Sequence, residues 1–230
     1  MGQHLLPGNP PVELTLRRSP RARRISLRVS GLDGLVTLTL PRGVTEGEAL
    51  DFARSKGDWL RAQLQERPGQ VAVGWGAVLP VEGQDLRIVP GKGRRVLADG
   101  NTLCVPGPEG SVPSRLQAFL KTLARDRLAV ASDRYAGAIG RSYTRITLRD
   151  TRSRWGSCTA AGGLMYSWRL ILAPPEVLDY VAAHEVAHLQ EMNHSAAFWN
   201  LVEEILPDYR EPRAWLRKKG ADLHRFRFED

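Results

Sequence analysis

The feature that most constrains this chain is a pair of histidines, His184 and His188, with Glu185 directly after the first. The surrounding apolar residues repeat with helical spacing, which predicts a helix over about residues 175–192. On a helix the two imidazoles lie one turn apart and face the same way, so both can bind one Zn²⁺ at ~2.0–2.1 Å. A chain of this composition contains such an HExxH motif by chance only about 0.006 times. The motif therefore predicts a metal-binding helix.

The two histidines and the glutamate fall on the side of this helix that is otherwise apolar. His184 and His188 continue one apolar stripe, and Glu185, about 100° further round the helix, continues the neighbouring stripe. Burying such groups without partners is costly, so something must satisfy them. A metal ion held by the imidazoles would do so, and Glu185 could then act on a metal-bound water without being a ligand. The alternative is a His-Glu-His set that ordinary hydrogen bonds satisfy.

A zinc site needs a third protein ligand, and His194 is the first candidate. It follows His188 by six residues, which is the spacing of the metzincin pattern, although Glu191 stands where that pattern has glycine. Asn193 tolerates a left-handed backbone and could turn the chain back, and Ser195 can cap the next helix. These features predict that His194 is held rigidly between two helix ends.

Other residues remain candidates for the same site. Glu203 or Glu204 on the following helix would complete a His₂Glu ligand set. Cys158 could be a fourth ligand, but a closed tetrahedral site would leave no position for water, so a small buried residue is the favoured interpretation. Arg154 and Arg169 could steady an anionic intermediate or product.

The order of predicted elements indicates an α+β fold in two parts. In residues 1–106, strands are predicted at 25–29 and 35–40, then one helix to about residue 66 that opens on a Thr45–Glu48 capping box, then short strands at 71–75, 77–82, 85–89, 94–98 and 102–105. The Pro- and Gly-rich segment 106–110 is the predicted linker. In residues 111–230 the predicted elements are a helix to about 138, strands at 144–148 and 164–172, a loop at 152–158, and helices at 175–192, 196–206 and 209–219.

The chain is basic, with a formal net charge of +8, and the excess is concentrated near its start. Residues 1–44 carry seven arginines against Glu13 and Asp33, and five of the seven lie between Arg17 and Arg24. Such a cluster predicts either a solvated basic face or a surface for nucleic acid or nucleotides. No zinc-finger, helix-turn-helix or Walker motif accompanies it.

The composition places the chain among ordinary globular proteins, with 42% hydrophobic and 25% charged residues. No apolar run approaches the ~18 residues that a membrane span needs, and no secretion signal is visible. The two cysteines, Cys104 and Cys158, are far apart in sequence. We therefore expect reduced thiols and a cytoplasmic protein, with no membrane partner.

The sequence contains several further motifs around the two histidines. Together the motifs are RWGSC at 154–158, YSWRL at 166–170, HEVAHL at 184–189, NHS at 193–195 and FW at 198–199. In these motifs the sequence closely resembles the YgjP-like (DUF45) metallopeptidase family, which is related to the SprT-like and WLM zinc peptidases. The arginine-rich strand near the start and the helix that bears Trp59 also look like that family.

The resemblance implies a β-rich N-terminal part packed on a zincin-like C-terminal part with the HExxH helix. It implies that His184, His188 and His194 are the zinc ligands and that Glu185 is the catalytic residue. By analogy with zinc peptidases, an extended peptide would lie along the strand predicted at 164–172, adding itself to the sheet edge.

The expected function is therefore a zinc-dependent metallohydrolase, a metallopeptidase that uses zinc-activated water with Glu185 as general base. Two alternatives remain open at this stage. One is a metal-dependent hydrolase of nucleotide phosphoanhydrides, which the arginine excess would suit. The other is a nucleic-acid-associated protease module, which the Arg17–Arg24 cluster would suit.

Overall fold

The first 69 residues build a four-stranded sheet covered on one face by two short helices. The structure, a computed structural model, describes residues 2–31, 33–66 and 68–228. The strands are β1 (Gly2–Leu6), β2 (Val12–Arg18), β3 (Ser26–Val29) and β4 (Val36–Leu40), in the order β1-β2-β4-β3. β2 and β4 run parallel and the outer pairs are antiparallel. Alternation puts Leu14, Leu16 and Leu38 on the buried face, and Thr15, Arg17 and Thr37 on the other.

The predicted helix after β4 is in fact two helices, α1 (Glu46–Ser55) and α2 (Gly57–Gln65). The predicted capping box opens α1: the Glu48 N–H donates to the Thr45 hydroxyl, and the Glu48 carboxylate accepts from the Thr45 N–H. Lys56 leaves the helical region, with φ −106° and ψ 11°, and Gly57 restarts the chain as α2. Glycine is a weak helix former. The helix therefore breaks here, although the apolar residues keep their helical spacing across the break.

The chain divides into two compact units, Met1–Gly69 and Gln70–Asp230. This boundary lies well before the predicted linker at residues 106–110. The second unit begins with β5 (Val71–Ala72), β6 (Val78–Val81), β7 (Gln84–Pro90), β8 (Leu97–Asp99) and β9 (Thr102–Val105). The last four form a sheet in the order β6-β7-β9-β8.

The boundary differs from expectation because side chains of these strands share a core with the long helix that follows, α3 (Val112–Ala138). Leu79, Ile88 and Leu103 are fully buried in that core, as are Leu116 and Leu120 of α3. The Pro-Gly composition of residues 106–110 marks a tight turn into the helix, in which Gly107 has a φ of +105°. Composition identifies a turn, whereas only packing across the chain identifies a boundary.

The rest of the second unit holds a small sheet and three helices. The remaining elements are β10 (Arg145–Arg149), β11 (Gly156–Cys158), β12 (Gly163–Ser167), α4 (Pro175–Ala187), α5 (Ala196–Ile205), α6 (Arg210–Lys219) and β13 (Phe226–Arg227). The sheet order is β10-β12-β11, with β10 parallel and β11 antiparallel to β12. β13 pairs in parallel with β5, so the last described strand of this unit joins the first. The fold is α+β, as predicted.

Two predictions about the small sheet are wrong. The strand predicted at 164–172 ends at Ser167, and residues Trp168–Leu172 form a 3₁₀ helix. All five of those residues are buried, and a short run that is apolar on every side does not distinguish a strand from a helix. β12 is also the central strand, so no substrate can add along it. The edge next to α4 is β11, which the sequence predicted to be a loop.

None of the helices in the described part of the chain has both the length and the hydropathy that a membrane span requires.

The observed boundary predicts which fragments fold alone. A fragment of residues 70–230 should unfold cooperatively on heating, because it keeps the whole core that the strands and α3 share. A fragment of residues 111–230 should lack a cooperative transition, because it loses the strands β6, β7 and β9, whose buried side chains share one core with Leu116 and Leu120. Thermal unfolding followed by near-UV circular dichroism tests both. Equal melting temperatures for the two fragments would contradict the boundary.

Candidate metal centre

Helix α4 carries the two histidines of the HExxH motif from within the core. Its first turn contains Pro175, where a missing N–H costs nothing. The helix is buried on most sides, including Val181, Val186 and Glu185. His188 is the residue that ends it, so both imidazoles lie at the last turn, where the chain leaves α4.

The loop after α4 returns His194 to the two α4 histidines. The Glu191 N–H donates to the carbonyl oxygen of Ala187, which tightens the exit from the helix. The Asn193 side chain accepts a hydrogen bond from the Ser195 N–H, at 3.2 Å, and Ser195 caps α5 as predicted. Asn193 is not among the described residues with a positive φ, so the predicted left-handed turn is wrong. The side-chain hydrogen bond shapes the turn instead.

The three imidazoles that the sequence singled out converge on one point. The Nε2 atoms of His184 and His194 are 3.0 Å apart. One ligand nitrogen from each of His184, His188 and His194 lies within 4.8 Å of the others. Tetrahedral ligands at zinc–nitrogen distances of ~2.0–2.1 Å are roughly 3.3 Å apart, so this spacing suits a single ion of that size.

The protonation of the imidazoles also fits a cation. Burial, together with the nearby His188 and His194, lowers the pKa of His184 to about 3. Burial likewise lowers the pKa of His188. His188 Nδ1 lies 2.9 Å from the Glu191 carbonyl oxygen, which can only accept, so Nδ1 carries the proton and Nε2 offers a lone pair. Neutral imidazole donors of this kind suit zinc and its transition-metal neighbours.

Aromatic packing orients the histidine rings. Phe198, which is fully buried on α5, stacks on His188 with ring centroids 4.5 Å apart. Its ring also meets His184 at 4.9 Å and His194 at 4.8 Å. His184 Nδ1 has no hydrogen-bond partner among the described residues, so ring contacts fix His184 instead of a hydrogen bond. The sequence pattern does not assign Phe198 and Trp199 a role in the site, and their helical spacing from His194 is the signal that could have done so.

Glu185 lies next to the histidine cluster without joining it. It is 5% exposed, and burial raises its pKa to about 8, while the charge of Arg154 opposes that rise. Its side chain packs on the backbone of Gly156 at the start of β11. A Cβ atom placed on Gly156 would lie 2.5 Å from both Cγ and Oε1 of Glu185. No residue with a side chain fits at 156 unless Glu185 moves.

A cavity of about 230 Å³ opens beside these groups. Arg154, Trp155 and Gly156 line it on the β11 side. Tyr180, Val181, His184 and Glu185 of α4 line it together with Leu216 of α6. The cavity therefore places a cationic side chain, apolar walls and the candidate catalytic carboxylate around one space.

The alternative ligands lie elsewhere. Glu203 pairs with Arg210 at 2.8 Å, and Glu204 is exposed. Among the described residues neither belongs to the histidine group, and Cys158 does not either. The Cys158 thiol donates to the Thr159 carbonyl oxygen, and burial raises its pKa to about 11.

Arg169 is a structural residue and does not face the site. Its guanidinium donates to both carboxylate oxygens of Asp150, at 2.7 and 3.0 Å, and to the carbonyl oxygens of Leu223 and Phe226. His224 is half-buried, and its ring lies 5.2 Å from that of Trp155. Arg169 thus ties the C-terminal segment to the sheet.

The Arg17–Arg24 cluster lies in the first unit, at the end of β2 and in the loop that follows. All five arginines, which are Arg17, Arg18, Arg21, Arg23 and Arg24, are exposed. Arg18 is 3.7 Å from Glu46 and donates to the Val44 carbonyl oxygen. Nucleic-acid binding by this cluster stays a prediction.

Comparison with known proteins places these features in context. A scan against protein families matches residues 23–219 to the family described as "YgjP-like, metallopeptidase domain". Among solved structures, the metallopeptidase zymogen abylysin from Pyrococcus abyssi aligns with a TM-score of 0.34 and 23% identity, over 42% of this chain and 92% of that one. A search of curated proteins found no match.

The close approach of Gly156 to Glu185 can be tested by a double-mutant cycle. Gly156→Ala should destabilise the metal-free protein by about 1–3 kcal/mol, because the new methyl overlaps the glutamate side chain. In a Glu185→Ala background that cost should fall by at least about 1 kcal/mol. Urea unfolding measures all four free energies.

Gly137→Ala is the matched control, because a Cβ at that helical position meets nothing within 4 Å. It should be neutral or stabilising. If Gly156→Ala costs the same in both backgrounds, the contact with Glu185 is not what requires glycine at 156.

Proposed function

The chain belongs to the YgjP-like metallopeptidase domain family, and from that premise we propose that it is a zinc-dependent peptidase. In this proposal His184, His188 and His194 hold the metal, and Glu185 is the general base. The observation that carries the proposal is the convergence of three imidazole nitrogens within 4.8 Å, beside a buried carboxylate that is not one of them. Three protein ligands are the number that catalytic zinc sites use, since one position then remains for water or substrate.

A bound Zn²⁺ would supply a polarised carbonyl and a water of lowered pKa. The protein supplies the rest. His188 is held in the tautomer that presents Nε2 by the Glu191 carbonyl, and Phe198 fixes the plane of its ring. The Glu185 carboxylate accepts the proton of the attacking water and passes it to the leaving amine. The contact with Gly156 restricts where that carboxylate can be.

The edge of the small sheet offers a place for the peptide. Within the described residues β11 has a partner strand, β12, on one side only, and the strand contacts α4. An extended peptide can add to such an edge through backbone hydrogen bonds, whatever its sequence. A peptide paired with Gly156–Cys158 would pass directly beside Glu185, because Gly156 touches it. We therefore assign substrate binding to β11 in place of residues 164–172.

We also propose that the protein works in the cytoplasm. Both cysteines, Cys104 and Cys158, are unpaired, which supports a reducing environment such as the cytoplasm.

The metal content tests the ligand set. Purified protein should hold about one Zn²⁺ per chain, and His184→Ala, His188→Ala or His194→Ala should each remove most of it, since each deletes one of three ligands. His224→Ala and Glu203→Ala serve as controls and should keep full zinc. Elemental analysis after dialysis measures this. Full zinc in His194→Ala, together with loss in Glu203→Ala, would overturn the proposed third ligand.

The proton-transfer role of Glu185 can be separated from metal binding. Glu185→Gln should keep zinc and fold but lower peptide hydrolysis by about 10²–10⁴-fold, because the amide cannot accept a proton at neutral pH. Glu204→Gln, an exposed glutamate on α5, is the matched control and should retain activity. Hydrolysis of a peptide library and of a nucleoside triphosphate panel should be assayed side by side.

Loss of peptide cleavage alone supports the proposal. If the nucleotides are the only substrates and their hydrolysis is what falls, the metal site serves phosphoanhydride chemistry and the peptidase proposal is wrong. Full activity of Glu185→Gln would contradict the role of Glu185.

A further inference from the structure

We propose that the cavity beside Glu185 is a specificity pocket for a carboxylate-bearing residue of the substrate, with Arg154 as the group that recognises it. The proposal rests on the proposed peptidase function, and it concerns which peptides the site selects. The cavity has a volume of about 230 Å³, which is smaller than the roughly 300–1,000 Å³ of pockets for drug-sized ligands. It has room for one side chain or one chain terminus.

The position of Arg154 ties this pocket to the substrate path. Arg154 precedes Gly156 by two residues, and both line the cavity. The segment is fixed at both ends, because the Arg154 carbonyl oxygen accepts from the Thr151 hydroxyl at 2.7 Å and the Trp155 carbonyl oxygen accepts from the Ser167 N–H at 2.8 Å. A peptide paired along β11 would therefore meet the Arg154 side chain next to the reacting carbonyl.

Among the described residues Arg154 has no acidic partner, unlike the four arginines of this unit that form ion pairs. Arg127, Arg134, Arg169 and Arg210 each pair with a carboxylate of the protein. No carboxylate oxygen lies within 4.0 Å of Arg154 anywhere in residues 2–31, 33–66 and 68–228. Its charge nonetheless reaches the site, because it opposes the rise in the pKa of Glu185. An unpaired guanidinium beside a cavity is a ready fork for a carboxylate.

A second arginine makes the surroundings more positive. Arg213 of α6 is half-buried over the Trp199 ring, 4.2 Å from its centroid, and it too lacks a carboxylate within 4.0 Å among the described residues. Burial raises the pKa of Tyr180, which lines the pocket, and the charge of Arg213 opposes that rise, so its field reaches the wall of the pocket. Among the described residues that line the cavity, Glu185 is the only one with a carboxylate, and the proposed function assigns that carboxylate to proton transfer.

The walls suit a side chain that has an apolar stem and an acidic tip. Val181, Leu216 and the Trp155 ring provide apolar surface, and Arg154 is the exposed polar end. The methylene groups of a glutamate would contact the walls while its carboxylate reached the guanidinium. A C-terminal carboxylate has the same chemistry, so the test must separate these two sources.

The experiment compares peptides that differ only in one carboxylate. Glutamate or its isostere glutamine is placed at each position flanking the scissile bond, and each peptide is made with a free or an amidated C-terminus. Wild-type protein should favour the acidic member of one pair by about fivefold in kcat/KM, which is the upper end for an exposed ion pair. That preference should shrink between about 0.05 M and about 0.5 M NaCl.

Variants assign the preference to Arg154. R154Q should bring the acid-to-amide ratio close to one, R154E should reverse it in favour of the amide, and R154K should keep a reduced preference. R149Q is the matched control, because Arg149 is an exposed arginine on β10, at the opposite edge of the same sheet. It should leave the wild-type ratio intact. A ratio that survives R154Q and R154E overturns the proposal, and so does a wild-type enzyme that cleaves both members equally.

A binding measurement separates failure of this inference from failure of the peptidase proposal. The zinc-loaded Glu185→Gln protein is titrated with the same peptides, and Trp155 fluorescence or calorimetry gives the dissociation constants. Acidic peptides should bind about fivefold more tightly than their amides, with the same dependence on Arg154. If nothing is cleaved but this difference persists, the pocket stands and the peptidase proposal falls. If peptides are cleaved but neither assay distinguishes acid from amide, the peptidase proposal stands and the pocket proposal falls.

Discussion

The site depends on the packing of one phenylalanine against three imidazoles. Phe198 lies on α5, so its contacts with His184, His188 and His194 require that the chain turn sharply after α4 and then resume as a helix. The Ser195 cap and the Asn193 side chain produce that turn. Without it the third imidazole would be far from the other two. Local capping chemistry thus decides whether a pair of histidines becomes a group of three.

The sequence predicts helices and the motif well because both depend on neighbours along the chain. The spacing of His184 and His188 fixes their shared face, and the Thr45–Glu48 box fixes the start of α1. The sequence predicts less where contacts between distant segments determine the structure. The edge position of β11 and the central position of β12 follow from pairing across the sheet. The boundary at Gly69 follows from β6, β7 and β9 packing on α3, which no local composition reveals.

Arg154 and Arg169 illustrate the same limit at the level of single side chains. Both belong to motifs of the same segment, and both were candidates for holding an anion. Arg169 is buried and pairs with Asp150, nineteen residues away, whereas Arg154 is exposed and lines the cavity beside Glu185. Whether an arginine has a structural role or can bind a ligand depends on whether the fold places an acidic side chain next to it.

The parallel pairing of β13 with β5 has a mechanical consequence for the second unit. The chain enters at the start of β5 and leaves at the end of β13, and the two strands point the same way. A pull on the two ends would therefore load their hydrogen bonds along the strand direction and all at once, the geometry in which such bonds resist best. The Val73 N–H, which donates to the Arg227 carbonyl oxygen, adds to this clamp. A force applied through a neighbouring segment would therefore act on this strand pair before it acted on the histidines.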